Sequence, residues 1–507
     1  MAQVRKVHCG ECLRRRLVCD FEVPGCRRCA RSGVDCPGYG DSAKVRLRWV
    51  DPGETNSKKR KGTLSRQKNK NSPTSASHRQ CRSESSNTNS EASTVMQPVT
   101  IPSFNLKTDY HALIDSVEYF NSCMYPQLAN SLRLGTNTNI YKLPPTILGA
   151  ASSRPTHLRS GLVCLTLSHR MNQMGHDLDS KPLKSHFFRH RGLMIQSLNE
   201  DINDSHKRDS DIVFAGILSL LLADVQQGVS PHWRYHIEGV KRLINLRGGM
   251  FHLAATPGLL PIVLCFVYLV VISDTSSPAS NMLIGGLNPM ELGLFIQCFG
   301  ENGYGFQMCP TPLFGEILEI NNIRCKISTI DETDDSELHS DAREVLRRIY
   351  EFSPTAWIEA NENLTDASKL VVETYQSAVA LYCMSSLQSM RALPPSPLLT
   401  KNRDTEKQIL HGLVERLLQG GSYGYPFWPL LVLGMQAVDG SPTLRAFVRN
   451  NMTCISVRAG THAPLAARDL LEKFWNSGKN GWDDCFDQPH VLTTILTVNR
   501  GQLRRAS

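Results

Sequence analysis

The cysteines of the first 40 residues constrain the fold of this chain more than any other feature. They follow the pattern C-x2-C-x6-C twice, at Cys9, Cys12, Cys19, Cys26, Cys29 and Cys36. Two tetrahedral zinc sites need eight thiolate positions, and six cysteines supply them if two cysteines bridge both metals. Residues 9–36 contain too few apolar side chains for a core, so metal binding would provide most of the folding free energy, on the order of ~10 kcal/mol. The register therefore predicts a small module folded around two zinc ions.

Positive charge is concentrated at the same end of the chain. Residues 1–82 contain 20 Lys+Arg and 7 Asp+Glu, a net charge of +13, so the remaining residues carry −4 of the total of +9. Part of this charge would offset a cluster of six thiolates and two zinc ions. The nearest cations are Arg14, Arg15, Arg16, Arg27 and Arg28. A basic end on a mildly acidic body indicates a polyanionic partner for that end, most simply a nucleic acid.

The cysteine spacing resembles that of the fungal binuclear zinc cluster family of transcription factors. In that family each half of the module is a short helix followed by an extended strand, and a proline-containing loop joins the halves. Pro24 matches this loop, and Gly33 with the stretch 36–39 (CPGY) closes the module. The resemblance implies that Cys9 and Cys26 bridge the two zinc ions. The remaining ligands would be Cys12 and Cys19 at one zinc and Cys29 and Cys36 at the other.

Three consecutive arginines, Arg14, Arg15 and Arg16, follow the second cysteine. If Cys12 begins a short helix, successive residues turn by ~100°, so one or two of the arginines must face away from the cluster. An arginine at a helix start is suited to O6 and N7 of guanine in the major groove. In the resembling family the residues that match Arg15 and Arg16 lie on the DNA-contacting face, usually over a CGG triplet. The alternative is that all three only neutralise the cluster and contact phosphates.

Two positions depart from the family pattern, because Leu13 and Val18 stand where a basic residue is usual. Fewer phosphate contacts would lower the affinity for DNA and flatten its salt dependence. These positions keep open a second hypothesis. It describes a nuclear interaction or scaffold protein whose zinc cluster no longer recognises specific DNA.

Residues 41–102 are rich in Ser, Asn, Lys, Thr and Gln and contain few large apolar residues. Such a composition cannot bury enough surface to fold, which predicts a flexible, disordered basic linker. Within it Lys58, Lys59, Arg60 and Lys61 form a basic run typical of a nuclear localisation signal or of additional phosphate contacts. The linker shows no sustained heptad pattern. The protein would therefore either bind one half-site as a monomer or form a homodimer through its large domain.

Residues 103–507 show helical apolar spacing almost throughout. The patterns lie near 156–175, 183–199, 211–228, 232–249, 259–272, 338–353, 364–388, 404–419, 427–438 and 463–477. Strand-like alternation is scarce, which predicts a large all-α domain, a stack or bundle of helices. The stretches 232–249 and 427–438 resemble the fungal-specific transcription factor domain. That resemblance implies a regulatory domain, in a family whose ligands and partners vary.

The large domain lacks the usual signatures of enzymes. No phosphate-binding loop, dinucleotide-binding glycine pattern or serine nucleophile elbow is present, so no catalytic residue is predicted. His186 and His190 are four residues apart on a predicted helix, but no third metal ligand accompanies them and a surface or packing role is favoured. The apolar run 259–272 contains a proline and is too short to cross a bilayer, so no membrane association is expected. For the acidic stretch 331–341 an exposed loop is favoured over a segment that recruits transcription machinery.

These features together predict a small zinc-stabilised module in residues 1–40, a disordered linker and a large all-α regulatory domain. They indicate a nuclear, sequence-specific regulator of RNA polymerase II genes that recognises GC-rich, CGG-type triplets through the zinc cluster. The expected partners are double-stranded DNA and the transcription machinery, and the expected cofactors are two zinc ions.

Overall fold

A computed structural model of the protein describes two units, Met1–Val99 and Thr100–Ser507. In the first unit it describes residues 9, 11–12, 15, 19–20, 22 and 25–36. In the second unit it describes residues 108–130, 142–149, 154–174, 181–228, 233–256, 259–299, 309–329, 335–361, 364, 366–421, 426–438 and 442–494. The predicted domain limits at residues 40 and 102 lie outside these residues, as does the basic run 58–61. Both stay predictions.

The first unit is organised by its cysteines. The helix α1 (Arg27–Arg31) begins directly after Cys26, whose sulfur accepts a hydrogen bond from the amide of Cys29. Among the described residues of this unit, the buried side chains are all cysteines: Cys9, Cys12, Cys19, Cys26 and Cys29. An apolar core therefore does not hold the described part of this unit together.

Helices make up the second unit. Its first half contains α2 (Asp109–Tyr119), a π-helical turn (Phe120–Met124), α3 (Tyr125–Asn130), α4 (Thr146–Gly149), α5 (Thr156–Met174), α6 (Lys181–Asn203), α7 (Asp211–Gln227), α8 (Trp233–Leu246), α9 (Met250–Ala254) and α10 (Leu260–Thr275). Its second half contains two 3-10 turns (Ala279–Asn281 and Ile284–Gly286), α11 (Pro289–Phe299), α12 (Thr311–Thr329), α13 (Asp335–Glu351), α14 (Pro354–Glu359), α15 (Asp366–Ser389), α16 (Pro397–Gln419), α17 (Phe427–Met435), α18 (Pro442–Ala459), α19 (Ala463–Trp475) and α20 (Trp482–Cys485). The described residues of this unit form no β-strand, and the predicted all-α class is confirmed.

Two apolar helices, α10 and α17, lie inside the core. Residues 262–277 are all buried, as are residues 426–435. A helix that is covered on every side needs no polar stripe, which explains the continuous apolar sequence of both segments. α17 also approaches α19 closely, because a Cβ at Gly434 would lie 2.4 Å from Leu471 Cδ1. Among the described helices, none combines the length and apolar character that a membrane crossing would require.

The predicted helical stretches are confirmed, but one prediction on this unit is wrong. The favoured loop at 331–341 is a helix from Asp335 onward, because α13 begins there. Its Leu338, Ala342 and Val345 recur every three or four residues and are buried, so this acidic segment has an apolar face that packs on the core. Residues 331–334 lie outside the described part of the chain.

A buried ion pair fastens the C-terminal segment to the helical core. Arg324 is fully buried, and its guanidinium donates to Asp483 Oδ1 at 2.6 Å and to the hydroxyl of Tyr382 at 2.8 Å. The indole Nε1 of Trp482 donates to the carbonyl oxygen of Thr275 at 2.8 Å. Burying a guanidinium is costly unless it is paired, so these partners hold α20 against α10, α12 and α15.

Candidate zinc centre and DNA-binding surface

The six cysteine sulfurs of residues 9–36 converge in two groups of four. One group consists of Cys9, Cys12, Cys19 and Cys26, and the other of Cys9, Cys26, Cys29 and Cys36. Within each group all four sulfur atoms lie within 4.8 Å of one another. Cys9 and Cys26 belong to both groups. A cysteine that bridges two metal ions must lie close to the other ligands of both, and these two cysteines meet that condition.

The sulfur–sulfur distances suit tetrahedral zinc. The sulfur of Cys26 lies 3.5 Å from the sulfurs of both Cys9 and Cys12, and the sulfurs of Cys9 and Cys29 are 3.7 Å apart. A Zn–S bond of about 2.3 Å gives a tetrahedron whose edge is about 3.8 Å. Disulfide sulfurs would be only about 2 Å apart, so the thiols are arranged for metal binding rather than for cross-linking.

In each C-x2-C pair, the backbone amide of the second cysteine donates a hydrogen bond to the sulfur of the first. The amide of Cys12 donates to Cys9 Sγ at 3.4 Å, and the amide of Cys29 donates to Cys26 Sγ at 3.3 Å. This is the geometry of a helix N-cap, in which the side chain before the helix accepts from the third helical residue. The two-residue spacing therefore follows from the local backbone, and amides at a helix start stabilise thiolate charge.

The buried thiols resist ionisation without a cation among them. Burial raises the pKa of Cys12 to about 12 and also raises the pKa values of Cys9 and Cys29. A bound metal ion reverses this effect, because its charge favours the thiolate over the thiol. The number, arrangement and chemistry of the sulfur donors thus fit two zinc ions.

Asp20 connects the two halves of the module, a role that the sequence did not reveal. Its carboxylate accepts hydrogen bonds from the backbone amides of Arg27 at 3.3 Å and Arg28 at 3.1 Å. These are the first amides of α1, where a negative charge is favoured. Because Asp20 directly follows Cys19, it fixes the second helix relative to the ligands of the first half. The only signal in the sequence was an acidic residue next to a cysteine.

The structure describes some of the predicted basic residues. Arg15 is exposed, and its amide donates to the carbonyl oxygen of Glu11 at 3.0 Å, which places it one helical turn beyond that residue. The guanidinium of Arg27 is paired with Glu22, with Nη2 2.6 Å from Oε1. Arg28 is also exposed. The predicted DNA contacts Arg14 and Arg16 lie outside the described residues, as do Leu13 and Val18.

The histidine pair of the second unit does not form a comparable site. His190 is buried on α6, and burial lowers its pKa to about 4, while His186 on the same helix is partly buried. Within the described residues, the groups of side chains suited to a metal ion consist of cysteines of the first unit. A packing role for His190 agrees with its burial.

Comparisons with known proteins give matches over most of the chain. A model described as the fungal Zn(2)-Cys(6) binuclear cluster domain matches residues 7–46, and one described as the fungal specific transcription factor domain matches residues 119–494. A similar protein is the phomenoic acid biosynthesis cluster-specific transcriptional regulator of Leptosphaeria maculans. It is 34% identical over 509 residues, which cover 98% of this chain and 91% of that protein. No solved structure matches significantly.

Proposed function

The chain belongs to the fungal-specific transcription factors that carry an N-terminal binuclear zinc cluster, and from this premise we propose that it recognises CGG-type, GC-rich triplets in nuclear DNA. A cluster of this family holds two zinc ions. The proposed ligands are the six cysteines of residues 9–36, with Cys9 and Cys26 as the bridging pair. Zinc would fix the fold of the module, and protein side chains would contact the DNA.

The arrangement around Arg15 is the observation that supports this proposal most directly. Arg15 is exposed one turn beyond Glu11, on the chain that leaves the first C-x2-C pair. The backbone bond to Glu11 fixes where the Arg15 side chain leaves the turn, and an exposed guanidinium there can present its two parallel donors to a guanine edge. Arg14 and Arg16 are proposed to share this contact and to bind neighbouring phosphates.

The proposed targets are the genes of a biosynthetic cluster. The similar regulator from Leptosphaeria maculans is specific for such a cluster, and the similarity extends along nearly the whole of both chains. The basic run Lys58, Lys59, Arg60 and Lys61 is proposed as the nuclear localisation signal. The helical unit is proposed to contact the transcription machinery and to act without catalysis.

The test is selection of binding sites by the full-length, zinc-loaded protein from a randomised duplex library at fixed salt. The wild type should enrich sites that contain CGG. Arg15→Ala should lose that preference, because a bidentate arginine–guanine pair discriminates by about 1–3 kcal/mol. Arg31→Ala is the matched control, since it removes an exposed arginine of the same module at the end of α1.

The control separates base recognition from general attraction to DNA. Arg31→Ala should at most weaken binding to all sequences equally and reduce the salt slope by about one. Equal binding of all duplexes by the wild type would contradict the proposal. It would favour a scaffold protein whose arginines only contact phosphate.

We also propose that two copies pair through the second unit. Leu246 at the end of α8 is 74% exposed and Met290 in α11 is 76% exposed. The intervening helix α9 contacts α11 through the rings of Phe251 and Phe295, whose centroids are 5.6 Å apart. Apolar side chains of this size on neighbouring helices favour a partner that removes them from water.

Sedimentation velocity of the full-length protein tests the homodimer. The wild type should sediment as a dimer, and Met290→Glu should shift it towards the monomer. Leu398→Glu is the control, because Leu398 is 68% exposed on α16, a different helix. A wild type that remains monomeric at high concentration, or equal effects of both substitutions, would rule out this surface.

A further inference from the structure

A polar cleft of about 410 Å³ lies between α15, α16 and the end of α17. Its walls include Ser385 of α15, Arg403, Asp404 and Lys407 of α16, and Gln436 just beyond α17. The volume lies within the range of roughly 300–1,000 Å³ that is usual for small-molecule sites. Most such sites are lined mainly by apolar groups, whereas charged groups and amides dominate here. The cleft is therefore suited to a small polar molecule.

The α16 wall of the cleft carries an excess of positive charge. Arg403 and Lys407 are four residues apart, so they lie on the same face of the helix. Lys407 Nζ is 3.2 Å from Asp404 Oδ1, and this pair is neutral as a whole. Among the described residues, no acidic side chain forms an ion pair with Arg403. One uncompensated guanidinium thus lines the cleft, and its planar fork matches a carboxylate with two parallel hydrogen bonds.

The opposite wall offers partners for hydroxyl groups. The side-chain amide of Gln436 donates to Ser385 Oγ at 2.7 Å. Within the described part of the chain, no other hydrogen bond uses the amide oxygen of Gln436 or the proton of the Ser385 hydroxyl, so the oxygen can accept and the proton can be donated. A ligand that carries hydroxyl groups can use both. A purely apolar acid would leave them without partners, which costs binding energy.

The cleft is held in shape by bonds that do not involve a ligand. Trp482 lines it, and because its Nε1 already donates to the carbonyl oxygen of Thr275, the indole presents carbon atoms to the cavity. Arg445 Nε donates to the carbonyl oxygen of Ala437 at 2.9 Å, which fastens the turn that carries Gln436. A preformed site loses less conformational entropy when it binds.

We propose that this cleft binds a small hydroxylated carboxylate. The carboxylate pairs with Arg403, and the hydroxyl groups bond with Gln436 and Ser385. Such a site allows the helical unit to bind a small molecule, which goes beyond the proposed recognition of DNA. It depends only on residues of the second unit, so its failure and the failure of the DNA proposal are separate results.

The test is isothermal titration of the full-length, zinc-loaded protein with three matched pairs of compounds. They are lactate with propane-1,2-diol, tartrate with threitol, and gluconate with sorbitol. The two members of each pair share the carbon chain and its hydroxyl groups. In the alcohol, every carboxylate of the acid is replaced by CH2OH, one in lactate and gluconate and two in tartrate. At least one acid should bind with a stoichiometry of one per chain, and its alcohol should bind about tenfold more weakly or worse.

Variants of α16 identify the residue that is responsible. Arg403→Gln should weaken binding of that acid by about tenfold or more, and Arg403→Lys should have a smaller effect because the charge remains. Arg416→Gln is the matched control, since Arg416 is exposed on α16 outside the cleft. Thermal unfolding without ligand should be the same for all three variants, which shows that they fold.

Two results would overturn the proposal. One is that none of the three acids binds more tightly than its alcohol. The other is that Arg403→Gln and Arg416→Gln change the affinity equally, which would indicate general attraction of anions to a basic helix.

Discussion

The two groups of sulfur atoms make different predictions for a bridging and a terminal cysteine. Cys26 belongs to both groups, whereas Cys36 belongs to one. If these groups hold the two zinc ions, a Cys26→Ser variant would lack one thiolate at each zinc, and a Cys36→Ser variant would lack a thiolate at one zinc only. Serine keeps the size of the side chain but remains protonated and is a poor zinc ligand.

The magnitude follows from the number of ligands. Structural zinc contributes about 10–16 kcal/mol, so one of four thiolates accounts for about 3 kcal/mol, which is roughly a hundredfold in affinity. Cys36→Ser should hold one zinc with nearly wild-type affinity and the other about a hundredfold more weakly. Cys26→Ser should hold both about a hundredfold more weakly, a total loss of about 6 kcal/mol.

The assay is competition for zinc with a chromogenic chelator, followed to completion and calibrated as zinc per chain. The wild type should release two ions in its tightly bound fraction, Cys36→Ser one and Cys26→Ser none. Cys454→Ser, in α18 of the second unit, is the control and should behave as the wild type. If Cys36→Ser loses both ions as readily as Cys26→Ser, or if Cys26→Ser keeps one tightly, the bridging assignment is refuted.

Three further predictions concern the helical unit, and urea unfolding measures each. Asp483→Ala removes the partner of buried Arg324 and should lower the free energy of unfolding by about 2–3 kcal/mol. The loss is smaller than for a fully buried pair because Asp483 is partly exposed. Asp469→Ala, which removes an exposed ion pair with Arg468, should lower it by under about 1 kcal/mol. Burial holds the pKa of His169 near 3, below its value in the unfolded chain, so below about pH 6.5 unfolding takes up a proton. The free energy of unfolding should therefore be unaffected by this group above about pH 6.5 and should fall as the pH drops from there towards 3. His169→Gln should reduce that slope by about 1.4 kcal/mol per pH unit, and an unchanged slope would contradict this assignment. Gly460→Ala should lower the free energy of unfolding far more than Gly478→Ala. Both glycines have positive φ, but only at Gly460 would a Cβ meet another side chain, at 2.2 Å from His169 Cδ2. Equal losses for the two variants would count against this reasoning.

The sequence predicted those features that depend on local spacing. The six cysteines were proposed as ligands because the spacing C-x2-C-x6-C occurs twice, and this pattern can be read directly from the chain. Asp20 was missed, because the amides that it binds belong to residues seven and eight positions later and come near only when the module folds. Its role depends on tertiary structure, which a spacing pattern does not contain.

The helical unit shows the same division. Helices with a continuous apolar stripe, such as α7 and α8, were predicted, whereas α12 was not. α12 buries Asn321 and Arg324 on its inner face, and these polar residues interrupt the apolar pattern. Their partners lie on α10, α15 and α20, so burial is satisfied by residues that are far away in the sequence.

The two units are stabilised by different means, so loss of zinc and substitutions in the helical core should have different effects. In the described part of the first unit the buried core consists of cysteines, so its fold is expected to depend on metal occupancy. The second unit has a large apolar core whose described residues include no such metal-binding cluster. Loss of zinc should therefore remove DNA binding while the helical unit remains folded. Substitutions in the apolar core should instead lower the free energy of unfolding of the second unit.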